Sequence, residues 1–175
     1  MNGHLFNVRD FGSAVDGRAK DTALRIGFVA ESDSHDGMPG SGPLTAATVD
    51  ELSRESIREA LRARRVYATT GARIEVNDFR LAGAAMGQAV DLPGRDVPLA
   101  FRIVGTRPGL HAELVVGAVG DGVPLPTVAE WESDTETLDV DDMVMLDDRL
   151  DFTYIRITDS DGQQAWVSPV WLNDA

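Results

Sequence analysis

The chain has 175 residues, 43% of them apolar and 26% charged, enough for one ordinary domain or two small ones. A net charge of −13 repels phosphate backbones and anionic lipid, so neither nucleic acid nor membrane is expected as a partner. No cysteine is present, which excludes disulfides and thiolate ligands; a metal would have to rest on His, Asp, Glu or backbone oxygen.

No apolar run approaches the roughly 18 residues that a membrane span needs. Residues 1–12 lack the basic start and apolar core of a secretory signal, so the sequence reads as soluble, unsecreted and cytoplasmic. Lys20 is the sole lysine, and carboxylates are spread along the chain and bunched between 130 and 151. That distribution reads as a heavily hydrated acidic surface, with a cation-collecting patch at 130–151 as the functional alternative.

In chain order, Leu5, Val8, Phe11 and Val15 suggest a helix that Asp16-Gly17-Arg18 interrupts. The apolar run Ile26-Gly27-Phe28-Val29-Ala30 predicts a short buried strand that delivers Asp33 and His35 to a loop. Residues i and i+2 of an extended chain point the same way, so this carboxylate and imidazole can converge on one divalent ion. The plainer reading is a hydrogen-bonded turn. Glu31 and Asp36 are secondary candidates beside them. Gly37, Pro39, Gly40 and Gly42 let the backbone approach a ligand, but their spacing matches no phosphate-binding fingerprint.

Residues 44–49, rich in Ala and Thr, fit a strand or an irregular crossing. A helix is predicted over 54–65, with Ser53 as N-cap, Glu55 in the first turn and arginines in the last. Leu52 and Ile57 stand where a hydrophobic staple would lie, and Ile57, Ala60, Leu61 and Arg64 form a narrow face expected to dock on a sheet. Residues 66–71 read as a β segment whose Tyr67, Thr69 and Thr70 either reach the loop of His35 or simply pack and cap.

From Ala72 the texture changes to short alternating strands, at 73–81, 87–92, 97–105, 110–118, 138–146, 152–159 and 164–171. Explicit turns separate them, among them Thr106-Arg107-Pro108-Gly109 and Asp159-Ser160-Asp161-Gly162. This is the pattern of an antiparallel β-sandwich, with Trp166 and Trp171 buried by a hairpin through the 159–162 turn.

Three stretches, GFVAESDSHDGMPGSGPLTA, LSRESIREALRARRVYATTGARIEV and YIRITDSDGQQAWVSPVW, together resemble the C-terminal part of metal-dependent hydrolases. The family is the PHP superfamily, named for polymerase and histidinol phosphatase, in its branch of CehA/McbA-type carbamate and aryl-ester hydrolases. The resemblance implies an α+β chain, in which residues 1–72 are the remnant of a distorted (β/α) barrel and residues 73–175 form a β-sandwich. It also implies that Asp33 and His35 are metal ligands, the metal being zinc, manganese or iron.

Such a site needs an N-terminal His-x-His or His-x-Asp motif and further histidines, whereas this sequence has only His4, His35 and His111. No complete catalytic set is therefore expected. The chain reads as part of an ester, carbamate or phosphoester hydrolase that binds metal weakly by itself, with a homo-oligomer or a partner chain supplying the rest of the barrel. The alternative is a non-catalytic sandwich module with a self-associating α/β cap.

Overall fold

Alternation of apolar and polar residues forces long stretches of this chain into half-buried strands. The computed structural model describes residues 25–173 apart from 34, 36, 39 and 119–124. The helix expected before Val15, His4 and Asp36 thus lie outside the described residues. In chain order the elements are β1 (Leu44–Ala47), α1 (Arg54–Arg62), β2 (Val66–Thr69), β3 (Glu75–Leu81), β4 (Ala89–Asp91) and β5 (Asp96–Val104). They continue with β6 (Leu110–Gly117), β7 (Thr127–Ser133), β8 (Thr137–Met145), β9 (Phe152–Asp159), β10 (Gln164–Val167) and β11 (Val170–Asn173).

The strands form one eight-stranded and one three-stranded sheet. In the large sheet β1, β2, β10, β9, β6 and β7 lie side by side, all antiparallel. Strand β11 continues β10 along the same edge of β9 and takes β4 as its parallel neighbour. Pro169 separates β10 from β11: it has no N–H to give a ladder, and its carbonyl instead accepts from the Gly87 N–H. The small sheet runs β3-β5-β8 and packs on one face of the large one, where Phe79, Leu99, Ile103, Leu114, Ile155 and Ile157 are among the buried core. This is the β-sandwich expected downstream of Ala72.

The α+β expectation is overturned. Among the described residues there are eleven strands and a single nine-residue helix, so the fold is β-rich and contains no barrel remnant. The decisive detail is the β1-α1-β2 segment. A (β/α) unit carries its helix between parallel strands, whereas β1 and β2 are antiparallel and directly paired, Leu44 opposite Thr69. Strand β2 then pairs with β10, so the sheet is continuous across residue 72, where the two expected segments meet.

The apolar run 26–30 is also not a strand. It is an extended strap across the outer face of the large sheet. Only Phe28 is buried there, edge-on to Tyr154 with ring centroids 5.2 Å apart, while Ile26 and Val29 are exposed. Its backbone is held by side chains in place of a ladder: the Phe28 N–H donates to Ser168 Oγ at 2.8 Å, and Ala30 exchanges two hydrogen bonds with Thr45 Oγ1. Beneath it lie Ala68, Val115, Phe152, Trp166 and Trp171, so both indoles are buried as expected, in this outer cluster.

Helix α1 begins where the sequence indicates, with Ser53 Oγ accepting from the Ser56 N–H. It ends three residues early because Arg64 adopts a left-handed φ of +58° and turns the chain into β2. Its expected packing face does not form. Ala60 alone is buried, whereas Leu61 is 49% exposed and Leu52, the expected staple, 90%. The helix is tethered mainly at its end, where Arg64 Nε donates to the Gly87 carbonyl at 2.9 Å.

Gly87 sits directly under that end. Its φ is +79°, and a Cβ there would meet the Ala63 carbonyl oxygen and lie 2.6 Å from the Arg64 Cβ. Gly87→Ala combines left-handed strain with overpacking and should cost about 2 to 4 kcal/mol. Leu61→Ala, on the uncovered side of the same helix, should stay within about 0.5 kcal/mol. Urea unfolding of both variants checks this pair; equal losses would contradict the account of how the helix is held.

Candidate functional site

The strap and β1 together pinch off a loop. With Ala30 clamped to Thr45, residues 31–43 leave the sheet and return within hydrogen-bonding distance of their start. The return is fixed by a backbone contact: Gly42 lies against Gly71, so close that a Cβ on Gly71 would stand 2.8 Å from the Gly42 oxygen. Positive φ values at Asp33, Gly37, Gly40 and Gly42 curl the loop.

Asp33 and His35 stand on this loop. Their side chains approach to 4.0 Å between His35 Nε2 and Asp33 Oδ1, and are 92% exposed for His35 and 70% for Asp33. The sequence argument brought them together through an extended chain, but Asp33 is left-handed, at φ +47°, so it is a turn that brings the two groups to the same side. Glu31 is exposed as well. Among the described residues no three His, Asp or Glu side chains are grouped so as to hold an ion. A water-activating metal needs about three protein ligands to fix its geometry. Two exposed donors do not meet that requirement, so the described residues by themselves do not make up a catalytic metal site.

The other candidates near the loop are structural. Tyr67 is buried, donates its hydroxyl to the Ile74 carbonyl at 3.0 Å, and its phenol is pushed up chiefly by burial. Thr69 Oγ1 accepts from the Gly71 N–H, and Thr70 Oγ1 accepts from the Gln164 N–H and donates to Gln163 Oε1. None of them reaches toward His35.

Sequence reasoning missed a polar network on the outer face of β6 and β9. Arg156 grips Glu113 with two hydrogen bonds, Nε to Oε2 at 2.7 Å and the second nitrogen to Oε1 at 2.6 Å, and Thr127 donates a third to Oε1. The side chains are 14% exposed for Glu113 and 30% for Arg156. The Arg156 hydrogen bond, followed by its charge, holds the Glu113 carboxyl below the usual range despite burial. Tyr154, packed beside them, is pushed up to about 12 by burial. Next along β6, half-exposed His111 has its Nε2 3.1 Å from Glu130 Oε2. The signal available in sequence was Arg156 inside Tyr-Ile-Arg-Ile, a cation that alternation places on a largely buried face and that therefore needs a carboxylate opposite. With its oxygens engaged by three donors, Glu113 fixes strand register and is not set up as a general base.

Comparison with known proteins gives a family without an assigned role. Residues 10–91 match the model of a family described as protein of unknown function, DUF3604. An uncharacterized protein of Chlamydia pneumoniae is 30% identical over 197 residues, covering 93% of this chain and 29% of its own length. An uncharacterized protein of Chlamydia trachomatis serovar D is 31% identical over 173 residues, covering 86% of this chain and 27% of its own. The chain thus spans less than a third of the length of the curated relatives it matches. No described helix is long and apolar enough to cross a membrane.

The Glu113–Arg156 pair makes a pH-dependent contribution whose sign follows from its shift. A carboxyl depressed in the folded state stabilises above its unfolded pKa of about 4.3 and loses that contribution as pH falls through the folded value. Glu113→Gln should therefore cost about 1 to 3 kcal/mol at pH 7, with the gap to the parent protein closing below about pH 4. A gap unchanged from pH 7 to pH 2 in denaturant titrations would rule out this role.

Proposed function

We propose that this chain is a non-catalytic β-sandwich module of a longer metal-dependent hydrolase. It offers Asp33 and His35, from an exposed and tethered loop, to a metal site whose remaining ligands belong to another segment of polypeptide. The single observation that carries this reading is the approach of an imidazole and a carboxylate to 4.0 Å on a loop held clear of the sandwich. An oxygen donor and a nitrogen donor together suit zinc, manganese or iron.

Two further points favour this reading. The stretches around Asp33, α1 and β9–β10 resemble metal-dependent hydrolases of the PHP kind, and the matching relatives are more than three times as long as the segment they share with this chain. Hydrolysis of an ester, carbamate or phosphoester would belong to the completed site, where the bound metal would supply a deprotonated water. The chain's own part is to place two ligands. Its loop clamps, Thr45 on Ala30 and Gly42 on Gly71, limit where those ligands can stand.

The test is metal analysis of the 175-residue chain after dialysis against zinc or manganese, with p-nitrophenyl ester and phosphoester assays on the same sample. Substoichiometric metal and background rates are expected. Tightly held stoichiometric metal, with turnover abolished by His35→Ala, would show that the chain carries a whole site and would defeat the proposal.

A further inference from the structure

Helix α1 should not be stable where it stands. Nine residues are below the roughly 12 to 15 that hold a helix in water unaided, so tertiary packing has to supply the difference. Here Ala60 is its only buried residue. Ile57 and Leu61, one turn apart on the same side, are 38% and 49% exposed. The strap beside it shows the same deficit. Gly27 packs against Arg64, so close that a Cβ would lie 3.1 Å from the arginine's own, and Ile26 and Val29 stay exposed next to it. Of the nine large apolar side chains exposed among the described residues, six lie between 26 and 61.

Charge singles out the same region. Residues 25–65 carry six arginines and seven carboxylates, a net −1, whereas residues 66–175 carry seven arginines and nineteen carboxylates, a net −12. The sandwich is therefore built to face water, and the strap, loop and helix are the part that a second surface could approach without repulsion. Arg54 and Arg62 make no ion pair with any described residue. They stand about 12 Å apart along the helix axis.

We infer that α1 and the strap form a docking face for a further domain of the same polypeptide in proteins of this kind. That domain would lay an apolar patch over Ile26, Val29, Ile57 and Leu61 and set carboxylates opposite Arg54 and Arg62. The occupant is argued from the length of the relatives, since about seven-tenths of the Chlamydia pneumoniae protein lies outside the segment shared with this chain. A match spanning 93% of 175 residues leaves only about a dozen outside it at the ends, so 54–62 fall within the stretch aligned with that relative. The inference rests on reading the chain as a module of a longer protein, but not on the metal.

The experiment compares amide hydrogen exchange over α1 in the 175-residue chain with exchange over the aligned helix in the full-length Chlamydia pneumoniae relative, using β9 as the slow internal standard. Exchange relative to β9 should be about 100-fold or more slower in the relative, and Leu61→Glu should leave the thermal midpoint of the 175-residue chain unchanged. Equal exchange in the two proteins would overturn the inference. So would strong protection of α1 in the 175-residue chain together with a dimer on sizing, which would make a second copy the occupant. A protected helix in a relative that binds no metal would sink the hydrolase reading and leave the docking face standing; a metal-bound relative with an unprotected helix would do the reverse.

Discussion

The structure depends on β9 being hydrogen-bonded along both edges and buried on both faces. Its eight residues pair with β6 from Phe152 opposite Gly117 to Asp159 opposite Leu110, and its other edge takes β10 and then β11. Ile155 and Ile157 enter the core between the sheets, while Phe152 and Tyr154 enter the outer cluster. A slip of one residue would exchange those two sets and put Arg156 into the inner core, so the register is fixed by a large penalty. Thr153 shows how tightly the strand is accommodated: its fully buried hydroxyl donates to the Val115 carbonyl of β6 at 2.9 Å.

A central strand buried on both faces requires cover on the side away from the small sheet. The strap supplies part of it with one aromatic ring, Phe28 on Tyr154, and with hydrogen bonds from Phe28 to Ser168 and from Ala30 to Thr45. The strap is anchored at Ala30 and β1 begins at Leu44, and between them the described residues Glu31, Asp33 and His35 stand exposed. The exposure of Asp33 and His35 thus follows from how the outer face is covered, and it is the same clamp that limits their freedom. Core packing and the exposure of these two side chains are two consequences of one strap.

Much of the sandwich was legible because its strands carry clean alternation and explicit turns. The 159–162 turn formed as expected, with Asp159 Oδ1 accepting from the Asp161 and Gln163 N–H groups, and Ser53 capped α1. What failed did so for physical reasons. Ile26 to Ala30 has the composition of a buried strand, but whether an apolar run joins a ladder depends on a free sheet edge, and no local sequence records that. The Ile57–Leu61 stripe is amphipathic, yet amphipathicity states what a helix could bury and not whether a neighbour is present to bury it. Strand β7 was hidden among carboxylates because only Ala129 and Trp131 face inward, the indole donating to Asp142 Oδ2 and packing on Phe101. The pairing of Asp33 with His35 was legible, though the left-handed turn that achieves it was not.

The edges of both sheets narrow the ways in which a partner could engage this molecule. Strand β3 is kinked by a bulge at Asp78, with φ +53°. Strands β7 and β8 meet at a corner through Trp131, and their outward positions carry Glu130, Glu132, Asp139 and Asp141. Kinks and like charges are devices that keep a sheet from adding a foreign strand. Recognition by strand addition is thereby disfavoured at each of these edges. The near-neutral apolar part of the side-chain surface lies on α1 and the strap. The loop of Asp33 and His35 leaves the sheet at the other end of the β1–β2 pair, by Leu44 and Thr69, whereas α1 joins it at Ala47 and Val66, so the helix and the loop present separate surfaces.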